Sequence, residues 1–267
     1  GLIRPHLGLN ASFSLSNALR GNLALVSESA SICRAILDWA EPRHIGFSTV
    51  LSLGETLDLD MADMLDFLAQ DRHTHSILLY VEQVTMARRF ISSLRLAARL
   101  KPVIVVRAGR FVPPADGERQ ATEIPDDVFD AVLERTGAVR AFSIRDLFSA
   151  AQVLASGFHA HGHRLTILCN GAGPGIMAAD RALEQGLSLS AFSQATQAQL
   201  AKFLPEADAK RNPLNLRPEA DAERYREALS TCLQDPQVDG ALVMLAPQPE
   251  SDIAGSAEAV LEVAAGQ

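Results

Sequence analysis

Two stretches of this chain carry residue types that could hold a phosphoryl group. In the first, Leu23-Ala-Leu-Val26 runs into Ser27-Glu-Ser-Ala-Ser31. A short apolar run reads as a buried parallel strand, and the small hydroxyl residues after it read as a turn. Behind the turn Ile32, Ala35, Ile36, Trp39 and Ala40 recur at helical spacing. A helix beginning there leaves its first N–H groups without intrahelical acceptors, and its dipole places positive potential at the same end. Such a start holds an anion. The second stretch repeats the device: Leu165-Thr-Ile-Leu-Cys-Asn170, then Gly171-Ala-Gly-Pro-Gly175, then a helical run from Ile176 to Leu183. The candidate anion-binding residues are Ser27, Ser29 and Ala30 in one corner, and Asn170, Gly171, Ala172 and Gly173 in the other. A single strand–turn–helix corner is commonly only structural, so the doubling is the signal.

Other residues bear on the same chemistry. Glu82 ends the apolar run Ser76–Val81, at the strand end where open α/β sheets take their ligands. Glu28 sits inside the first corner. A carboxylate aimed at a bound phosphate from 4 Å would oppose it by about 1–4 kcal/mol, so Glu28 weakens the site unless it points away. Arg107 and Arg110 are open to two readings, phosphate contacts or surface groups. The alternation His159-Ala-His161-Gly-His163 reads as a solvated linker, because no Cys or carboxylate is spaced to complete a metal set. No metal is expected. His6, His44, His73 and His75 lack partners in sequence and read as surface residues, and Trp39 as core.

These groups need a scaffold, and strands alternating with helices supply one: a parallel sheet covered on both faces. Residues 1–20 read as an extended lead-in. Strands follow at Leu23–Val26, Phe47–Leu53, Ser76–Val81, Pro102–Val106 and Ala138–Phe142. Helices are expected over 32–40, after a cap at Asp60, over 85–100, from Asp126 to a stop at Gly137, and over 144–156. Residues 111–125, with Pro113, Pro114, Gly117 and Pro125, read as a mobile loop. Gly157–His163 reads as a linker, giving domains 1–157 and 158–267. The second domain has strands at 164–170, 187–192 and 241–246 and helices near 174–185, 194–203, 219–233 and 252–264. It reads as cut short, since a doubly wound sheet normally continues. The chain opens at Gly1, not Met, and reads as a fragment.

Composition narrows the function. The 267 residues carry a net charge of −8 with 5% aromatics and no basic block, which excludes nucleic acid as a partner. No apolar run approaches the roughly 20 residues that cross a bilayer. Cys33, Cys169 and Cys232 are odd in number and lack ligand spacing, so a cytoplasmic location is expected.

Taken together, several motifs resemble the NDP-forming acyl-CoA synthetase superfamily, which includes succinyl-CoA synthetase and ADP-forming acetyl-CoA synthetase. They are Gly21-Asn-Leu-Ala-Leu-Val-Ser-x-Ser29, Ala35-Ile-Leu-Asp-Trp39, Gly46-Phe-Ser, Ser52-Leu-Gly54, Leu79-Tyr-Val-Glu82, Ala108-Gly-Arg110, Asn170-Gly-Ala-Gly-Pro-Gly175 and Asn212-Pro-x-Asn-Leu216. The resemblance implies two flavodoxin-like, succinyl-CoA synthetase-like α/β domains that follow an absent CoA-binding domain. It also implies a loop histidine whose phosphate is held between the two helix starts and oriented by Glu82. That histidine belongs between Gly109 and Val128, where this chain has none. No carboxylate or amide replaces the nitrogen that forms a phosphoramidate, so no catalytic residue is assigned and Glu82 becomes a vestigial partner.

The loss of the histidine resembles bacterial Pat-type protein lysine acetyltransferases, in which a ligase-like region is fused to a GNAT domain. Gly8-Leu-Asn-Ala-Ser-Phe-Ser14, Ser29-Ala30 and Leu68-Ala-x-Asp71 look closest to that branch. The expectation is therefore a regulatory region, silent as a ligase. It has no cofactor of its own, and acetyl-CoA or ATP/ADP is implied for the parent. Its partners would be the missing CoA-binding, ATP-grasp and GNAT domains, with a homo-oligomer also open. Two alternatives stand beside it: a fragment of an active ADP-forming acyl-CoA synthetase, and an oligomerisation scaffold.

Overall fold

The computed structural model describes residues 1–12, 14, 18–54, 58–110, 124–156, 162–249 and 251–266, in two units, Gly1–Phe158 and His159–Gln267. The first unit contains β1 (Leu2–Arg4), β2 (Leu9–Ala11), β3 (Arg20–Ser27), α1 (Ala30–Ala40), β4 (Phe47–Ser52), α2 (Met61–Gln70), β5 (Ser76–Val81), α3 (Ala87–Leu100), β6 (Val103–Arg107), α4 (Asp126–Thr136), β7 (Val139–Ala141) and α5 (Ile144–Ala155). Its sheet has the order β2-β1-β4-β3-β5-β6-β7. The five strands from β4 to β7 are parallel, in the flavodoxin-like 2-1-3-4-5 arrangement.

Central β3 explains the two-sided burial. Leu23 and Leu25 face one core with Ile36, Leu37 and Leu147, from α1 and α5. Ala24 and Val26 face the other, with Leu65, Leu94 and Leu133 from α2, α3 and α4. A strand buried on both faces has no polar alternation, which is why an unbroken apolar run marks it. The helix α2 begins at a reciprocal capping box, in which Asp60 accepts from the Asp63 N–H and Asp63 accepts from the Asp60 N–H.

Three expectations change in this unit. The lead-in holds two short strands: β1 pairs antiparallel with both β2 and β4, and Ile3, opposite Val50, is buried. Three-residue strands carry too little periodicity to be read, and the free edge of β4 is what orders them. The buried stripe of α1 is Cys33, Ile36, Leu37 and Ala40, with Ala35 exposed. Trp39 is only partly buried and stacks on Phe148 with ring centroids 4.2 Å apart. His6 and His73 are half-buried and stack on each other at 4.5 Å. The loop expected over 111–125 and the linker over 157–163 fall largely outside the described residues.

The second unit contains β8 (Arg164–Cys169), α6 (Ala172–Glu184), β9 (Ser188–Leu189), α7 (Gln194–Leu200), α8 (Glu206–Ala209), β10 (Leu214–Asn215), α9 (Ala222–Leu233), β11 (Gly240–Met244) and α10 (Ile253–Ala265). Strand β8 pairs in parallel with β9, β10 and β11. The strand expected over 187–192 shrinks to two residues, and β10 and α8 escape a periodicity argument because of their length. Asn212 ties this region to β8. Its side chain accepts from the Ile167 N–H and donates to the carbonyls of Leu165 and Ser190. Among the described residues no helix is long and apolar enough to cross a membrane.

Gly21 and Gly46 set how closely the chain passes at the start of β3 and β4. A Cβ on Gly46 would lie 2.1 Å from the Arg20 carbonyl oxygen, and one on Gly21 would lie 2.3 Å from the Gly46 carbonyl. The Phe47 N–H donates to the Leu19 carbonyl here at 2.7 Å. Gly46→Ala should therefore destabilise the protein by about 3 kcal/mol, measured by urea unfolding, because backbone would have to move.

Candidate functional site

In the 2-1-3-4-5 order, the connections leave β3 towards one side and β5 towards the other. A crevice therefore opens between the carboxyl ends of these two strands. Ser27, Ser29 and Glu82 all lie there. Ser27 is fully buried. Its hydroxyl accepts from the Ser29 N–H at 3.0 Å and donates to the Ser29 carbonyl at 2.9 Å. It thus braces the turn. Ser29 is the N-cap of α1, and its hydroxyl meets that of Ser31 at 2.9 Å without capping the helix. The helix start at exposed Ala30 is left without a side-chain cap. These uncapped amides are what an anion would use.

Glu28 does not spend its charge on those amides. Its carboxylate accepts from the backbone N–H of Gln83 at 2.9 Å and from that of Glu82. Its own N–H donates to the Tyr80 carbonyl. Glu28 thus joins the turn after β3 to the turn after β5. Exposed Glu82 lies on this second turn. Burial raises the Tyr80 phenol above its ordinary value, and the negative charges of Glu82 and Glu28 raise it further.

The second corner differs in its details. Asn170 is buried, and its side chain is committed to the backbone of Ala246, donating to the carbonyl at 2.9 Å and accepting from the N–H at 2.7 Å. It clasps the end of β8 to the segment after β11. Gly171 is the N-cap of α6, with no side chain to cap it, and its N–H donates to the Cys169 Sγ at 3.3 Å. Ala172 and Gly173 open the helix and are exposed. A Cβ at Gly173 would meet nothing within 4 Å, so the space beside its amide is open. Pro174 supplies no N–H. The donors here are thus Ala172 and Gly173, while Asn170 serves the scaffold. Buried Gly175 lets Pro213 approach: a Cβ there would lie 3.2 Å from the Pro213 Cβ.

One constellation was not visible in the sequence. Arg107, Arg110 and Arg140 converge on Asp126, at 3.5, 2.8 and 2.6 Å. Arg140 also pairs with Asp130. The guanidiniums of Arg107 and Arg140 lie over the Phe129 ring, and those of Arg110 and Arg140 over Phe142. Arg107 and Arg110 are therefore held by protein and are not free surface groups. The strand position of Arg140 gave no signal. Burial pushes the Asp126 carboxyl up, but hydrogen bonds from Arg140 and Arg110 outweigh it and hold it below the ordinary carboxylate range.

Other candidates resolve more simply. Cys33 and Cys232 are free and buried, and burial pushes their thiols up to about 11 and about 12. Residues 159–161 of the histidine alternation are outside the described residues. The His163 N–H and the Arg164 side chain donate to Asp239, whose carboxyl the Arg164 hydrogen bonds hold far below its usual range. Among the described residues no group of three metal-ligating side chains forms.

Comparison with known proteins matches this fold. The family described as succinyl-CoA ligase like flavodoxin domain matches residues 20–154. Acetate--CoA ligase [ADP-forming] I of Archaeoglobus fulgidus is 34% identical over 264 residues, 98% of this chain and 38% of the relative. The alpha subunit of acetate--CoA ligase [ADP-forming] I of Pyrococcus furiosus is 33% identical over 91% of this chain and 53% of its own length. The chain thus spans about half or less of these relatives. The apo structure of the dinucleotide forming acetyl-coenzyme A synthetase 1 of Ca. Korarchaeum cryptofilum superposes with a TM-score of 0.91 at 27% identity. It covers 100% of this chain and 58% of that one. The same enzyme in complex with phosphate and ADP gives 0.89 at 26% identity.

Two substitutions test the clasps. Asn170→Ala should cost about 2–3 kcal/mol, read by urea unfolding, because it orphans both backbone groups of Ala246. Asp126→Asn should cost about 2–4 kcal/mol near neutral pH, since it removes the negative charge on which three guanidiniums converge. The Asp126 carboxyl titrates lower folded than unfolded, so its stabilisation is complete above the unfolded value of about 3.9 and is lost as pH falls through the folded one. The stability gap between wild type and Asp126→Asn should hold steady from pH about 7 to about 5 and narrow below about 4.

Proposed function

The chain belongs to the succinyl-CoA ligase-like flavodoxin-domain family, and from that premise we propose that it is the acyl-CoA synthetase-type region of an NDP-forming ligase or of a protein descended from one. The observation that carries this proposal is the match of nearly the whole chain to ADP-forming acetate–CoA ligases. It is supported by two uncapped helix starts at the carboxyl ends of β3 and β8. The ligands would be phosphate-bearing: an acyl phosphate, CoA or acetyl-CoA, or ATP/ADP. The open amide at Ala30 in the first unit fits a phosphoryl group, and so, separately, do those at Ala172 and Gly173 in the second. Each would donate to a phosphoryl oxygen, with Ser27 and Gly171 fixing the turns that present them.

Two finer alternatives diverge at the phosphoryl relay. The relatives favour an active ADP-forming acyl-CoA synthetase, completed by CoA-binding and ATP-grasp parts. A different observation favours a regulatory region of a Pat-type acetyltransferase with a GNAT domain. No histidine lies between Gly109 and Val128, so that stretch forms no phosphoramidate. An active ligase would have to draw its histidine from elsewhere.

Titrating the labelled chain with inorganic phosphate should shift the backbone amide resonances of Ala30, Ser31, Ala172 and Gly173. Silence at all four overturns the proposal. Incubating the full-length protein with labelled ATP should place no acid-labile phosphate on residues 109–128. ADP-forming acetyl-CoA synthesis with an acid-labile label elsewhere selects the ligase, and acetyl-CoA-dependent lysine acetylation without such a label selects the regulatory region.

A further inference from the structure

The turn after β5 presents two successive backbone N–H groups, those of Glu82 and Gln83, to a single oxygen. Both donate to Oε2 of the Glu28 carboxylate, Gln83 at 2.9 Å. Consecutive amides that converge in this way form a nest, a concavity that takes an anion. The nest lies at the carboxyl end of β5, in the crevice where a 2-1-3-4-5 sheet receives its ligands. Its occupant is a side chain of the protein itself, sent across from the turn after β3.

Bracing the two turns does not require a charge. The Glu28 N–H already ties them together through the Tyr80 carbonyl, at 3.3 Å, and a neutral side-chain oxygen would serve the same two amides. The carboxylate instead brings negative charge to a place that holds more of it. Glu82 carries its own on the same turn. Burial raises the Tyr80 phenol first, and the charges of Glu82 and Glu28 then raise it further, so both charges lie near one hydroxyl. A third carboxylate, Asp60, lines the same hollow as Glu28 and Gln83, and is committed to the Asp63 N–H and to Arg89. The hollow measures about 20 Å³. A water takes about 10–15 Å³ of such space, so it admits one water and nothing larger. The room that an outside oxyanion would need is the room that the Glu28 carboxylate fills.

We propose that the Glu82–Gln83 nest is an oxyanion site and that Glu28 is its built-in plug. A carboxylate or phosphoryl group from outside enters the crevice here by displacing the Glu28 side chain, which swings out to water. The exchange replaces one anion by another on the same two donors, so the nest takes on no added charge. The tether sets the threshold. A group held on the same chain competes as if it were present at millimolar concentration or above. Free anions are therefore excluded, and a ligand enters when it gains further contacts in the crevice. A ligand anchored at the start of α1 has that advantage, because Ala30 follows Glu28 by two positions. The plug itself stands on the amide geometry and does not depend on the phosphoryl reading of α1 and α6.

The test is an amide titration of wild type and Glu28→Ala with two probes, inorganic phosphate and acetate, each to about 20 mM, above the threshold for a weak free anion and near that of a tethered one. In wild type the Glu82 and Gln83 resonances should stay in place. In Glu28→Ala both should move, with affinity roughly tenfold or more above wild type. Glu28→Gln keeps a neutral oxygen for the two amides and should respond between the two. The stronger probe assigns the site to phosphoryl groups or to carboxylates. Urea unfolding gives a second readout: acetate should raise the stability of Glu28→Ala and leave wild type unchanged, because an anion in the emptied nest binds only the folded chain. Wild-type resonances that move as far as those of Glu28→Ala overturn the plug. A folded Glu28→Ala that ignores both probes overturns the site, as does a poorly folded one that acetate fails to rescue. Ala30 and Ser31 report on the start of α1 separately, so failure of that corner is read apart from failure of the nest.

Discussion

The first unit depends on burying both faces of β3. Leu23 to Val26 are inaccessible to solvent, and neither helical layer could be removed without exposing one side of that strand. Two-sided burial requires parallel strands joined by crossover helices, because only such crossovers place cover on both faces. The order that results sends consecutive connections to opposite sides of β3. The crevice between β3 and β5 is therefore a consequence of packing the apolar strand, and the residues after Ser27 occupy it because of chain order alone.

What holds the sheet ends together is a set of side chains bonded to backbone. Glu28 takes two N–H groups after β5, Asn170 clasps Ala246, and Asn212 satisfies the backbone of β8. Asp239 does the same at the opposite end of β8, accepting from the N–H groups of His163 and Arg164. Each closes a gap in which backbone polar groups would otherwise lack partners. The starts of α1 and α6 stand apart from this pattern. Ser29 leaves its helix uncapped, and Gly171 has no side chain with which to cap. The scaffold satisfies its turns and leaves the first amides of these two helices without side-chain caps.

The arginine cluster on Asp126 follows a related logic with charge. A carboxylate in the first turn of α4 is favoured by the helix dipole, and three guanidiniums gather on it with two phenylalanine rings beneath. The cluster ties Arg107 and Arg110, at and beyond the end of β6, to the first turn of α4.

The sequence alone determined the strand–helix alternation, the parallel sheet, the helix cap at Asp60, the two strand–turn–helix corners and the family resemblance. All of these rest on local pattern: apolar runs, helical spacing and small residues at turns are properties of neighbouring positions. Tertiary structure decided the rest. The direction of Glu28, the commitment of Asn170 to Ala246, the gathering of Arg140 with Arg107 and Arg110, and the pairing of β1 with β4 join residues 14 to 76 positions apart. No local pattern encodes them, because each exists only once the sheet has fixed which strand ends and helix starts are neighbours. The buried phase of α1 likewise differs from the reading through Trp39, since a large apolar ring can stack on a half-buried partner such as Phe148 and pack against the margin of the core.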